Sequence, residues 1–226
     1  MDDQQMKPGR RSPIVNGRWQ PSPGHAPVVI SLIVIAVVTV WLTSMSSNEL
    51  AAGLMVIDPR QYEWFSLADR LNALLDTLSK GQVWRLITPD FLHFSWPHII
   101  FNSVMLWFLG SQIEFIDGRT RLLVLALVAS LLSNSLQYLV TGPLFGGLSG
   151  VVYAIMGYCW LSQRRLPRFQ FPPALITFAL AWMVLGFTPL PNMLGMGNMA
   201  NEAHLGGFVA GLIVAVVLSP PGRRKA

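Results

Sequence analysis

The sequence predicts an all-α, polytopic membrane protein: six transmembrane helices with a long interfacial loop between the first and the second. Three observations carry that prediction. Composition is the first: 52% of the residues are hydrophobic and only 12% charged, with a mean hydropathy of +0.48, whereas soluble domains carry about a quarter charged residues. Six apolar stretches are the second. At roughly 20 residues per crossing they use most of the chain and leave room for one bundle-sized domain. The third is the placement of basic residues, which alternates in step with those stretches.

Residues 1–27 are polar and rich in proline and glycine, with no early apolar run. They are expected to form a disordered cytoplasmic tail and not a cleavable signal peptide. Candidate spans follow at 28–45, 97–114, 121–140, 150–161, 173–187 and 203–218, so residues 28–218 form the bundle and 219–226 a basic cytoplasmic tail. Twelve of the 16 Lys and Arg fall on one side of the membrane if the spans alternate. Lys7, Arg10, Arg11 and Arg18 precede the first span, and Arg119 and Arg121 follow the second. Arg164, Arg165 and Arg168 follow the fourth, and Arg223, Arg224 and Lys225 the sixth. The positive-inside rule then puts both termini in the cytoplasm. The net charge of +5 is thereby a topology signal, and no nucleic-acid partner is expected. Cys159 is the only cysteine, so no intrachain disulfide can form.

The other four basic residues, Arg60, Arg70, Lys80 and Arg85, lie in the connection 46–96, mixed with Glu49, Asp58, Glu63, Asp69, Asp76 and Asp90. Leu67, Leu71, Leu74, Leu75 and Leu78 recur there at helical spacing beside a charged face. This pattern predicts an amphipathic helix in the outer interface; a small soluble subdomain is the alternative.

Depth follows from the rise of about 1.5 Å per helical residue. Counted from Gln163, Ser149 lies roughly 21 Å up the fourth span; counted from Pro220, His204 lies roughly 24 Å up the sixth. Asn102 and His98 lie roughly 22 and 28 Å up the second, counted from Asp117. In a hydrocarbon core of about 30 Å, the serine, the histidine and the asparagine are level with one another and below the outer surface. The fourth span is too short to cross, so residues 141–148 must dip into the membrane. Irregular backbone at that depth is tolerated only when it is buried in protein or lines a hydrated cavity.

Polar residues held at such depth usually mark function. Ser149, in Gly146-Gly147-Leu148-Ser149-Gly150, starts a helix whose unpaired N–H groups favour developing negative charge. His204 sits beside a Gly207-xxx-Gly211 face that permits close packing against Gly150, Ala154 and Gly157. That approach brings an imidazole to a hydroxyl, the pairing of a nucleophile with its base. His98 and Asn102 share one helix face, and both can donate to an oxyanion. Each has a plain alternative: helix-packing small residues, a structural histidine, a polar pair holding interfacial water. No carboxylate lies on the His204 face, since Glu202 is two residues away and points elsewhere, into loop water. A Ser–His dyad is therefore favoured over a triad. The run departs from the hydrolase nucleophile elbow, because Val151 stands where the last glycine belongs. No His-Glu-x-x-His or Cys/His cluster exists, so neither a metal nor a cofactor is expected. His25 and His93 are expected at the interface or in solvent, without a role.

Gly147-Leu148-Ser149-Gly150, His98-x-x-x-Asn102, Trp84-Arg85 and Ala203-His204 with its trailing glycines together resemble the rhomboid intramembrane serine proteases, over roughly 28–218. The similarity is to the bacterial GlpG-type rhomboids. The resemblance implies a six-helix rhomboid fold with Ser149 as nucleophile and His204 as general base. The oxyanion would rest on His98, Asn102 and the backbone N–H groups at Ser149 and Gly150. Tyr153 would stack on the histidine, while Arg85 and Glu114 would hold structural positions. It also implies a mobile cap at 188–200, a fifth helix acting as lateral gate, transmembrane protein substrates cut near the outer boundary, and a bacterial inner membrane. The N-terminal part, short and rich in proline and glycine, is not expected to form the small folded domain some relatives carry. A rhomboid-like protein that binds transmembrane helices without cutting them is the alternative; such proteins typically lack the serine or the histidine, and this chain has both. Without internal repeats or two matched broken helices, a transporter is disfavoured.

Overall fold

In the computed structural model, which describes residues 14–15, 18–21, 23–46, 48–193 and 199–218, the chain is helical apart from one small hairpin. That hairpin pairs β1 (Ile14–Val15) with β2 (Arg18–Trp19). It falls within the expected tail, of which residues 1–13, 16–17 and 22 lie outside the described residues, as does everything from 219 onward. A 3-10 turn, Pro23–His25, then leads into the first helix. His25, expected at the interface or in solvent, is buried there edge-on to the Phe115 ring.

Helix α1 (Pro27–Met45) opens on proline, whose missing N–H costs nothing in a first turn. Its next two N–H groups donate to Glu114, from Val28 at 2.9 Å and Val29 at 3.0 Å. A carboxylate at a helix N-terminus meets both the orphan donors and the positive dipole end. After α2 (Asn48–Leu54), helix α3 (Leu67–Ser79) starts with a capping box between Ser66 and Asp69. Its Leu67, Leu71 and Leu75 face away from the protein, while Ala73 and Thr77 are buried. Arg85, in the 3-10 turn Val83–Leu86, ties the loop to α2 by donating to the carbonyls of Ala52 (2.8 Å) and Met55 (2.9 Å).

Helix α4 (Trp96–Met105) runs through a π-helical turn, Leu106–Gly110, into α5 (Ser111–Ile116). Helix α6 (Arg119–Thr141) ends at Gly142, whose φ of +107° stops it. Then come α7 (Ser149–Arg165), α8 (Pro173–Gly186), the short α9 (Leu190–Met193) and α10 (Asn201–Leu218). Four of these segments are long and apolar enough to cross a membrane: Pro27–Met45, Trp96–Ile116, Arg119–Thr141 and Asn201–Leu218. The fourth and fifth expected spans, α7 and α8, are shorter, at 17 and 14 residues. Residues 194–198 of the expected cap lie outside the described residues.

The core is α10 packed against both α7 and α6, with α7 the most deeply buried of the three and also in contact with α6. Glycines set the α7–α10 contact. A Cβ on Gly207 would collide with the Gly150 carbonyl, and one on Gly211 with the Ala154 carbonyl. Gly157 meets the Phe208 carbonyl in the same way. Lipid tails are as apolar as leucine, so close backbone approach and dispersion hold these helices together.

Candidate active site

Segment 142–148 descends irregularly between α6 and α7, with Pro143, Phe145, Gly147 and Leu148 buried. Gly147 has φ +123°, and a Cβ there would strike the His98 ring, so conformation and space both require glycine. The Gly147 N–H donates to the Pro89 carbonyl at 3.0 Å. Ser149 is the first residue of α7, so its own N–H and that of Gly150 belong to the unpaired first turn.

Close packing of α10 on α7 puts His204 Nε2 3.0 Å from Ser149 Oγ, with both residues buried. Tyr153, one turn past Ser149, stacks on the imidazole, with ring centroids 4.5 Å apart and planes 20° apart. The Tyr153 hydroxyl donates to the Ala179 carbonyl of α8 at 2.9 Å. His204 Nδ1 is buried without a hydrogen-bond partner among the described residues. With Nδ1 carrying the proton, Nε2 presents a lone pair to the serine O–H, the arrangement of a base beside its nucleophile.

His98 covers Gly147, and Asn102 lies one turn further along α4. His93, expected without a role, is buried between them. Its ring lies 5.0 Å from that of His98, and its Nε2 lies 3.1 Å from Asn102 Nδ2. Nδ1 lies 3.3 Å from the Phe91 carbonyl, which assigns the proton to Nδ1 and leaves Nε2 to accept from Asn102 and, at 3.4 Å, from the Leu148 N–H. Burial first, and the neighbouring His98 second, push His93 down to about 4, so it is neutral near pH 7. It thereby orients Asn102 and the loop before Ser149. Sequence offered no signal for this, because the segment before Pro97 has no helical period.

At the start of α10, Gln137 Oε1 accepts from the Ala203 N–H at 2.9 Å, beside His204. Glu202, expected in loop water, is half-buried and lies 3.2 Å from the Thr141 hydroxyl. Asp90, counted with the interfacial loop, is also buried. Among the described residues no group of three His, Cys, Asp or Glu could hold a metal ion.

A family model described as the Rhomboid domain matches residues 80–221. The chain is 47% identical over 136 residues to the rhomboid protease GlpG of Serratia proteamaculans, a match covering 59% of this chain and 48% of that relative. To the rhomboid protease GlpG of Salmonella choleraesuis it is 43% identical over 152 residues, covering 66% of this chain and 54% of the relative. The chain thus spans about half the length of the curated relatives it matches. Every residue of the Ser149–His204 site falls inside the matched region.

Proposed function

The chain belongs to the rhomboid family of membrane proteins, and from that premise we propose that it is a serine endopeptidase that cuts transmembrane proteins within the bilayer, near its outer boundary. The 3.0 Å contact of His204 Nε2 with Ser149 Oγ, buried at the head of α7, carries this reading. Residues 28–218 form the six-span protease domain in a bacterial inner membrane, and the tails 1–27 and 219–226 face the cytoplasm. The one-sided distribution of basic residues supports that orientation. Outward-facing Leu67, Leu71 and Leu75 support an outer-interface position for α3.

Ser149 Oγ attacks the scissile carbonyl carbon as His204 Nε2 takes the hydroxyl proton. The resulting oxyanion rests on the His98 and Asn102 side chains and on the Ser149 and Gly150 N–H groups. Collapse breaks the C–N bond, His204 returns the proton to the leaving amine, and an acyl-enzyme remains. Water, deprotonated by His204, then adds to the ester; Ser149 leaves with the proton and the carboxylic acid is released. Protons balance between Ser149, His204 and water, so the reaction needs no cofactor. His204 Nδ1, without a hydrogen-bond partner among the described residues, supports a dyad, in which the Tyr153 stack and the Gly207 and Gly211 packing fix the imidazole.

The test is cleavage of a transmembrane substrate by purified protein in liposomes, alongside fluorophosphonate labelling. Ser149→Ala and His204→Ala are each expected to lower cleavage by on the order of 10³-fold or more while remaining folded. A folded wild type that neither cuts nor takes up label would move the reading to a helix-binding protein without activity.

A further inference from the structure

One buried ionisable group has no part in that reaction. Asp90 lies in the 3-10 turn Thr88–Phe91 and is 2% exposed. Its carboxyl faces α6. Asn134 Nδ2 donates to Asp90 Oδ1 at 2.9 Å and to the Leu86 carbonyl at 3.0 Å. Asp90 Oδ2 is hydrogen-bonded to Ser130 Oγ, which also lies 2.8 Å from the Ala126 carbonyl.

Counting hydrogens decides the state of this cluster. Ser130 has one hydroxyl hydrogen and two acceptors in reach. If Asp90 keeps its proton, it donates to Ser130, Ser130 donates to Ala126, and Asn134 serves both Leu86 and Asp90 Oδ1. An ionised Asp90 takes the Ser130 hydrogen and leaves Ala126 without it. Among the described residues no cation offsets the charge. The adjoining cavity of about 160 Å³ presents Leu32 from α1, Leu123 and Leu127 from α6, and Leu148 and Val151 from the α7 side, with Asp90 as its one ionisable group. His93, the nearest titratable residue along the chain, is turned to Asn102 and Leu148. Burial pushes Asp90 up to about 7, against weaker opposing pulls from Ser130 and Asn134. With 3.8 as the ordinary value, the stability it contributes is complete below pH 3.8 and lost as pH rises through about 7.

The same turn supports the nucleophile. The Pro89 carbonyl accepts from the Gly147 N–H, and a Cβ on Gly146 would meet Leu92 and the Pro89 carbonyl. A continuous path runs from α6 through Asp90 and Pro89 to Gly147 and Ser149. We propose that Asp90 is a positioning residue for Ser149: hydrogen-bonded to Ser130 and Asn134, its carboxyl fixes the 86–93 segment to α6 and with it the loop that presents the nucleophile. The proposal rests on the protease reading, and the acid form of Asp90 is the working form.

The test compares Asp90→Asn and Asp90→Ala with wild type, as full chains in liposomes. It reads kcat and KM on a transmembrane substrate, the rate of fluorophosphonate labelling of Ser149 from pH 6 to 9, and thermal unfolding. Asparagine copies the neutral acid, accepting at Oδ1 and donating to Ser130. It is expected to keep wild-type kcat within about threefold at pH 6, and to hold it above pH 7 where wild type declines; alanine should lower kcat and labelling on the order of tenfold or more, with KM little changed. Ser149 and His204 are the same in all three proteins, so the difference between wild-type and Asp90→Asn profiles reports Asp90. Should the alanine variant not fold, that difference decides alone. Asp90→Asn as impaired as Asp90→Ala, identical pH profiles, or lowered stability with unchanged kcat would each overturn the proposal while leaving the protease reading intact. A wild type that neither cuts nor labels would overturn both.

Discussion

Helices α7 and α8 invert the usual relation between hydrophobicity and burial. Helix α8, PALITFALAWMVLG, is almost wholly apolar, yet only Ile176 and Ala179 are buried. Helix α7 carries Ser149, Gly150, Tyr153, Gly157, Tyr158 and Ser162, and all of them are buried. In water the more apolar helix would sit inside. In lipid an apolar surface costs nothing outside, and the interior goes to residues that let backbones close in or that hydrogen-bond. The comparison separates two duties. Helix α7, locked against α10 and α6, holds Ser149 at a fixed distance from His204 of α10; α8 lies against α7 by a light contact that includes the Tyr153–Ala179 hydrogen bond.

The largest effect is expected from breaking the locked side. Gly211→Leu would drive a side chain into the Ala154 carbonyl, a backbone atom that cannot swing aside. Overpacking of this kind should cost at least about 3 kcal/mol and abolish cleavage. Thermal unfolding in detergent with a cleavage assay measures it, and a folded, active variant would refute backbone contact as the basis of the α7–α10 interface. Gly147→Ala comes next. The left-handed φ of +123° and the collision with His98 act together. The backbone strain alone is worth on the order of 1–3 kcal/mol. Displacing His98 should lower kcat by on the order of 10²-fold. Unchanged kcat in a folded Gly147→Ala variant would remove His98 from oxyanion stabilisation.

The locked side is also the part that sequence discloses best. Gly207 and Gly211 face Gly150 and Ala154 because small residues four apart define one helical stripe, a local pattern that survives without knowledge of neighbours. Ser149 and His204 stand out because polar groups interrupt apolar stretches, and depth counting sets them level. His93 and Asp90 were not legible. Both lie between Val83 and Phe94, where 3-10 turns replace any regular period, and both are buried only because α4 and α6 close over that segment. Composition places Asp90 with the interfacial charges of the loop and His93 at the interface or in solvent, without a role. The buried position of His25 is missed for the same reason, since it depends on Phe115, ninety residues away in the chain. Lengths were harder still: the boundaries of α7 and α8 are set by Arg165 and by the Pro172-Pro173 pair, so apolar runs alone could not say which helices reach across.

The mildest perturbation probes the seam between the two helices. Tyr153→Phe keeps the ring on His204 and removes only the hydroxyl that reaches Ala179. The lost hydrogen bond is worth about 1 kcal/mol, and a buried carbonyl left without it sets the upper end of the cost. If α7 and α10 fix Ser149 and His204 without help from α8, labelling of Ser149 by a small fluorophosphonate should stay within about threefold of wild type, because both residues are untouched. Cleavage of a full transmembrane substrate is the sharper measurement, since under the proposed function, with α8 as the lateral gate that the rhomboid resemblance implies, it alone depends on how α8 is held. Higher cleavage at constant labelling would show that the Tyr153–Ala179 bond restrains α8 from the substrate. A fall in labelling of tenfold or more would instead mean that α8 helps to hold the imidazole, and the division between a locked helix and a light neighbour would fail.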